Sequence, residues 1–386
     1  MRKFEVLIIG GGVAGTTAAE TYRAGGGRGT VAIVSDEPHP LYSRVLLPHA
    51  IKGKIPPEKV FLKNADFYRE KNIEFLAGRT VERIDFHHQT ATLDGSEDVG
   101  FEKLVIAVGG KLRRWDAPGA DLPGVLRMQT YDNARAIHDW LVPGSRLVIV
   151  GSGFIALEFA ALAVEKKIGA ILLNRGPRFW TSVLGEAMAA AIEAVLNGHG
   201  VEVRDHEKVS EVIGDGRVEG VKISTGETIS CSAVGVGIGL EVPADPFGDL
   251  RGDHGIKADA HLETVHENVW TAGDCAEFDD EVIGMRHLVG NWTNAVAQGR
   301  HVGKALLGTR EKFKVLTQYT SNVVSGANLI FLGETRQYPG MERVEQAIEP
   351  GKKIAEYHLL NGRTIGAILL NAPELRAEAV GRIMRG

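Results

Sequence analysis

A chain of 386 residues with 44% hydrophobic and 24% charged side chains has material for two or three domains and a large core. Its formal net charge of −5 leaves no electrostatic footprint for nucleic acid, and no apolar stretch reaches the ~18 residues of a membrane span. Two cysteines supply no disulfide framework and favour a reducing cytoplasm, while 48 glycines, roughly twice the usual share, belong in turns and close backbone approaches. The basic start Met1-Arg2-Lys3 superficially resembles a signal peptide, but the apolar run after it is too short and leads into a glycine cluster.

Residues 4–15, FEVLIIGGGVAG, read as a strand, a glycine turn and the start of a helix. The spacing Gly10, Gly12, Gly15 is the dinucleotide fingerprint. Its first glycine makes the tight turn, its second admits a pyrophosphate to the backbone, and its third lets the helix pack on the strand. Val13 and Ala14 open that helix, whose free N–H groups face phosphates with the helix dipole behind them. A second strand over 30–35 ends at Asp36 and Glu37, either of which can accept hydrogen bonds from a ribose hydroxyl pair. Residues 41–49 read as an irregular loop in which Arg44 offers a second clamp on a diphosphate. A helix is predicted over 57–71 and strands at 73–76 and 80–86, followed by a hairpin through Asp94-Gly95. A buried strand over 103–108 then runs into Gly109-Gly110.

The loop-rich stretch 115–125 is the first candidate domain crossing, and a helix is predicted over 131–140. Residues 146–156 then repeat the opening pattern: Gly151 and Gly153 stand at the first two glycine positions, and Ala156 replaces the third, a permitted variant. The strand that follows, 170–173, ends in Asn174-Arg175 with Arg178 close behind. An arginine there accommodates a 2′-phosphate, which tilts the second site towards NADPH. Strands and hairpin signals fill 202–237, and a loop over 243–255 returns the chain to the first domain. A further strand ends in Gly273-Asp274, whose carboxylate can hold a polyol hydroxyl, and a helix over 291–307 carries Trp292, Asn294 and Gln298. The remainder reads as a small α+β unit with strands near 328–332, 353–359 and 364–370 and a helix from Pro373.

Together these residues resemble the two-dinucleotide-binding-domain flavoproteins, the FAD-dependent pyridine nucleotide oxidoreductases. The fold expected is α/β: two Rossmann-like dinucleotide-binding domains, one nested in the other, plus a small C-terminal α+β unit. The resemblance implies an FAD-binding domain over 1–112 and 244–311, an NAD(P)H-binding domain over 113–243 and a C-terminal domain over 312–386. It assigns Asp274, with Gly273, to the ribityl part of FAD, Asp36 or Glu37 to the adenosine ribose, and Glu158 to the nicotinamide side of the flavin. Val81, Ala107, Gly109, Phe154 and Ile155 are further cofactor contacts on this reading. The family's Ala-Thr-Gly connection appears here as Ala107-Val108-Gly109. Within the family, the Tyr42-x-Arg44 loop and the Trp292-x-Asn294-Ala295-x-x-Gln298 helix resemble rubredoxin and ferredoxin reductases and the flavin part of nitrite reductases. Such reductases place a lysine after the arginine loop; here His49, Lys52 or Lys54 must substitute as the partner of Glu158.

Disulfide reductases need two cysteines close in sequence, whereas Cys231 and Cys275 lie far apart, so no thiol chemistry is expected. His254, His261 and His266 are clustered but lack the spacing of a zinc site, and no metal is expected. The resemblance implies hydride transfer from NAD(P)H to FAD and then electron transfer to a one-electron protein such as rubredoxin or ferredoxin. Glu158 and Trp292 would act at the reaction centre, with donors at the start of the Trp292 helix stabilising reduced flavin. A homodimer is left open. The alternatives are a cysteine-free NAD(P)H oxidase or quinone reductase, a type II NADH dehydrogenase, and a flavin-binding redox-signalling protein of low turnover.

Overall fold

Parallel strands with glycine-rich strand-to-helix turns organise the computed structural model, which describes residues 1–386 except 244, 323 and 386. The expected start of the second flavin-domain segment, residue 244, and the expected chain end at 386 lie outside the described residues. The chain divides into two compact units. One comprises Met1–Ser43, Glu58–Lys111 and Leu240–Thr317; the other comprises Arg44–Pro57, Leu112–Gly239 and Gln318–Gly386.

In the first unit, Arg2–Ile9 is the central strand because its apolar run is buried on both faces. It pairs in parallel with Val31–Ser35 on one side and with Glu97–Ile106 on the other. Ile73–Ala77 extends the sheet beyond Val31–Ser35, and Val269–Thr271 joins it in parallel on the far half of Glu97–Ile106. The near half of that long strand instead takes the antiparallel hairpin Val81–Asp85/Thr90–Leu93. Asp94 and Gly95, in the tight turn that joins Thr90–Leu93 to Glu97–Ile106, both have positive φ, as such a turn requires.

Helix Val13–Ala24 lies against helix Trp292–Ala305, and two glycines set how closely. A Cβ on Gly299 would overlap the Ala14 carbonyl oxygen, and one on Gly303 would lie 2.7 Å from the Ala18 carbonyl oxygen. The Trp292 helix is thereby seated on the fingerprint helix.

The second unit repeats the plan. Its parallel sheet runs in the order Val201–Arg204, Gly169–Leu173, Arg146–Val150, Ala233–Val236, Val125–Arg127. The same unit contains a five-stranded antiparallel sheet in the order Gln318–Asn322, Asn328–Gly333, Arg363–Leu370, Lys353–Leu360, Met341–Glu349.

Three local expectations change. The helix predicted over 57–71 is split into a 3-10 turn, Pro57–Val60, and a helix, Ala65–Glu70. Between them Leu62 donates to the Leu41 carbonyl, and the Asn64 side chain caps a fresh start by accepting from the Phe67 amide. The supposed loop over 41–49 contains a 3-10 turn, Arg44–Leu46, and the start of a helix, Leu47–Ile51, with Pro48 in its first turn, where a missing N–H costs nothing. The strands Gln318–Asn322 and Met341–Glu349 carry no periodic signal in the sequence, because both are sheet edges with mixed polarity and no alternating apolar face.

Candidate dinucleotide sites

The two glycine turns are the same construction. Gly10 has φ +115° and a Cβ there would overlap the Ala107 carbonyl oxygen; Gly151 has φ +117° and a Cβ there would overlap the Gly237 carbonyl oxygen. Only glycine serves at either place. Gly237, unmarked by any motif, is thus the counterpart of Ala107. At the second positions the demand is different. Neither Gly12 nor Gly153 would bring a Cβ within 4 Å of any atom, so the space above each is open to a ligand. Gly15 packs the first helix on its strand: its Cβ would overlap the Gly10 carbonyl oxygen. Helices Val13–Ala24 and Phe154–Lys166 both start without a side-chain cap and without an acid in the first turn. Their first N–H groups therefore stay available for an anion.

In the first unit, tertiary structure distinguishes the two acids after the second strand. Asp36 is exposed, with Lys111 Nζ at 3.5 Å, whereas the half-buried Glu37 carboxylate accepts from the Tyr42 hydroxyl at 2.5 Å. Val81 starts its strand with its side chain in the core, leaving backbone groups as its means of contact. Gly109 has positive φ and open space where a Cβ would be.

Gly273, at φ +84°, carries Asp274 to the fingerprint helix: a Cβ on Gly273 would lie 2.9 Å from the Ala14 Cβ. The Gly273 amide donates to Gln298 Oε1 at 2.7 Å, while the buried Gln298 Nε2 has no hydrogen-bond partner among the described residues. A buried amide nitrogen without a partner is what a polar ligand would satisfy. Trp292, half-buried, opens its helix, but the Asn291 side chain caps that helix by accepting from the Asn294 amide at 2.9 Å. The donor set expected there is therefore smaller by one N–H.

In the second unit, Glu158 lies on the fingerprint helix with Lys52 Nζ at 3.9 Å, while Lys54 pairs with Glu165 at 3.0 Å. Lys52 is thus the lysine that faces Glu158. Burial holds the Glu158 carboxyl above the usual glutamate range, and Lys52 pulls against it. Partial burial and then Lys52 and Lys54 hold His49 below the usual histidine value. Arg44 does not stand free in the unit: its Nη1 donates to the Gln129 carbonyl at 2.5 Å.

Asn174 is buried with both ends of its amide engaged. Nδ2 donates to Asp205 Oδ1 at 2.7 Å, and Oδ1 accepts from the Gly176 amide at 3.2 Å. Arg175 beside it is exposed. Phe154 and Ile155 open the second fingerprint helix half-buried, and the Phe154 ring stands edge-on to Trp180 at 4.5 Å and to Phe331 at 5.1 Å.

A duplicated strand–glycine–helix unit at the ends of two parallel sheets suits two dinucleotides. The family model for pyridine nucleotide-disulphide oxidoreductases matches residues 4–299. The chain belongs to that family. Its members bind FAD and use NAD(P)H, and the open glycine turns, the uncapped helix starts and the unpartnered Gln298 nitrogen fit such ligands.

Among curated relatives, the ferredoxin–NAD(+) reductase subunit of the benzene 1,2-dioxygenase system of Pseudomonas putida is 29% identical over 371 residues, covering 95% of this chain and 89% of that one. Rhodocoxin reductase of Rhodococcus erythropolis is 33% identical over 323 residues, covering 82% and 75%. Among solved structures, the covalent putidaredoxin reductase–putidaredoxin complex contains a chain with the same fold. Its TM-score is 0.90 at 24% identity, covering 100% of this chain and 93% of that one.

The family is named for disulphide chemistry, yet both thiols here are poorly placed for it. Cys275 is fully buried, with its Sγ at 3.4 Å from the Ala272 carbonyl oxygen, and burial pushes its thiol up. Burial pushes the Cys231 thiol up to about 11. A protonated, buried thiol is neither nucleophile nor relay. The clustered histidines have ordinary partners: His266 Nε2 lies 3.0 Å from Asp249, and His261 Nδ1 lies 2.9 Å from the Glu311 carbonyl oxygen. No helix among the described residues is long and apolar enough to cross a membrane.

Proposed function

We propose that this family member takes hydride from a reduced nicotinamide nucleotide in its second unit and delivers electrons, through FAD in its first, to a small one-electron carrier of the ferredoxin or rubredoxin class. The observation that carries this reading is the duplicated glycine geometry combined with two buried thiols, which leaves a flavoprotein without a disulfide relay. The relatives named as reductases of ferredoxin and rhodocoxin support the choice of acceptor. Bound FAD supplies the exchange between a two-electron donor and one-electron acceptors.

In the first unit, Gly10, Gly12 and the amides of Val13, Ala14 and Gly15 hold the pyrophosphate. Glu37, oriented by Tyr42, accepts from the adenosine ribose, and Asp274 accepts from the ribityl chain. In the second unit, Gly151, Gly153, Phe154 and Ile155 make the corresponding phosphate turn, and Arg175 reads the adenosine end. Glu158, tuned by burial and Lys52, sets the charge beside the nicotinamide. Arg175 argues for NADPH, and the name of the benzene-system relative argues for NADH. Two buried thiols accord with work in a reducing cytoplasm.

Steady-state rates with NADH and NADPH against ferredoxins, rubredoxins, quinones and oxygen test the proposal. Fast reduction of an iron–sulfur or rubredoxin-type protein with slow oxygen consumption is expected. Oxygen or a quinone as the fastest acceptor would replace it with the oxidase or quinone reductase reading.

A further inference from the structure

In the antiparallel sheet, Met341–Glu349 and Lys353–Leu360 pair in a register that sets Arg343 opposite His358 and Glu345 opposite Glu356. Residues two apart on a strand share a face, so these four side chains form one square. Two acids directly opposite each other repel, and Glu356 and His358 are completely buried. A square of apolar residues would serve packing as well or better.

What the square holds is the segment after the second fingerprint's second strand. Arg343 Nη1 donates to the carbonyl oxygens of Thr181 at 3.2 Å and Leu184 at 2.9 Å, and its Nη2 donates to Thr181 as well. Glu356 Oε2 accepts from the Gly185 amide at 2.7 Å, with His358 Nε2 fixing the other oxygen at 2.5 Å. Glu345 accepts from the amides of Met188 at 3.2 Å and Ala187 at 3.4 Å.

Helix Glu186–Gly198 has no cap from its own Gly185, so the neighbouring sheet supplies carboxylates for its N-terminus. The fit leaves no room for another residue: a Cβ on Gly185 would lie 2.5 Å from Glu345 Oε1 and 2.6 Å from Glu356 Oε2. At the segment's middle, Trp180 adopts φ +52° and rests against Phe154, the first residue of the fingerprint helix. The segment begins at Asn174-Arg175.

We propose that Arg343, Glu345, Glu356 and His358 form a clamp by which the C-terminal sheet positions the segment that reads the adenosine end of the nicotinamide nucleotide. They are positioning residues, acting through Arg175 and Trp180. The inference rests on the nucleotide reading of the Gly151 turn.

The test uses the FAD-loaded full chain with Glu345→Ala, Glu345→Gln and Arg343→Met, and titrates NADH and NADPH directly by fluorescence as well as in turnover with ferricyanide. Glu345 is exposed, so its variants keep the fold even if Arg343→Met does not. Loss of one or two such bonds should weaken nucleotide binding and raise KM about 3- to 10-fold in Glu345→Ala, with kcat, ferricyanide KM and flavin spectrum unchanged. Glu345→Gln, which retains an acceptor oxygen, should recover most of the loss. Unchanged nucleotide affinity in Glu345→Ala overturns the clamp, as does a fall in kcat with a lower melting temperature and no change in affinity. A wild-type protein that binds neither nucleotide overturns the underlying reading instead, before any variant is compared.

Discussion

At Gly10 a Cβ would overlap the Ala107 carbonyl oxygen, whereas at Gly12 it would meet no atom within 4 Å. The two glycines therefore answer to different substitutions. Gly10→Ala adds a backbone clash at positive φ and should destabilise the protein by about 1–3 kcal/mol, read from its denaturation midpoint. Gly12 has φ −70°, which any residue adopts, so Gly12→Val should fold and melt with apo wild-type protein yet emerge colourless. A fully yellow Gly12→Val would defeat the pyrophosphate assignment.

Glu158 offers a second residue-scale test. Its carboxyl is held above the ordinary value of 4.5 by burial, so its contribution to stability is full below that pH and is lost as pH rises through the folded value. The melting temperature of Glu158→Gln relative to wild type should climb as pH increases from about 4.5, then level off. A difference that is flat across that range would mean Glu158 is solvated like any surface acid.

Elements are fixed here by a few close approaches. Gly303 lets helix Trp292–Ala305 settle against Val13–Ala24, with the Thr21 Cβ only 2.5 Å from where a Cβ would sit. Gly303→Val should therefore push the helices apart, cost about 1–3 kcal/mol and speed the loss of FAD, measured by flavin fluorescence on dilution. Retained flavin and an unchanged midpoint would show that the seat is not needed.

At the end of strand Gly169–Leu173, Asn174 is committed to Asp205 and Gly176, so on the proposed reading the exposed Arg175 is the residue that reads the nucleotide. Arg175→Glu should shift preference from NADPH towards NADH by about 1–3 kcal/mol, the scale of a charge-assisted hydrogen bond. An unchanged ratio of kcat/KM values removes Arg175 from the site.

For the whole molecule, the duplication of one glycine geometry predicts separable functions. Gly153, like Gly12, has open space where a Cβ would lie. Gly153→Val should remain yellow, and dithionite should still reduce it, while NADH and NADPH should not. Bleaching by either nucleotide at the wild-type rate would show that the second turn holds no phosphate. The family, the alternation of strand and helix, and both turns were legible in sequence because they depend on local signals: an apolar run, a glycine spacing and a helical period. The partner of Glu158 was not, since His49, Lys52 and Lys54 stand within one short stretch and only the helix Leu47–Ile51 selects Lys52. Nor was the hydrogen bond from the Tyr42 hydroxyl to Glu37, on which the proposed choice of Glu37 over Asp36 rests.

Sequence alone therefore determined where the backbone must be glycine and what kind of ligand such turns accept. Positive φ and a helix start are properties of a few consecutive residues. Tertiary structure decided the pairings: Lys52 with Glu158, Gln298 with Gly273, Gly303 with Ala18, and the sheet carboxylates Glu345 and Glu356 with the start of a helix more than 150 residues earlier. Each depends on which distant strands and helices become neighbours, and no local period in the chain records that.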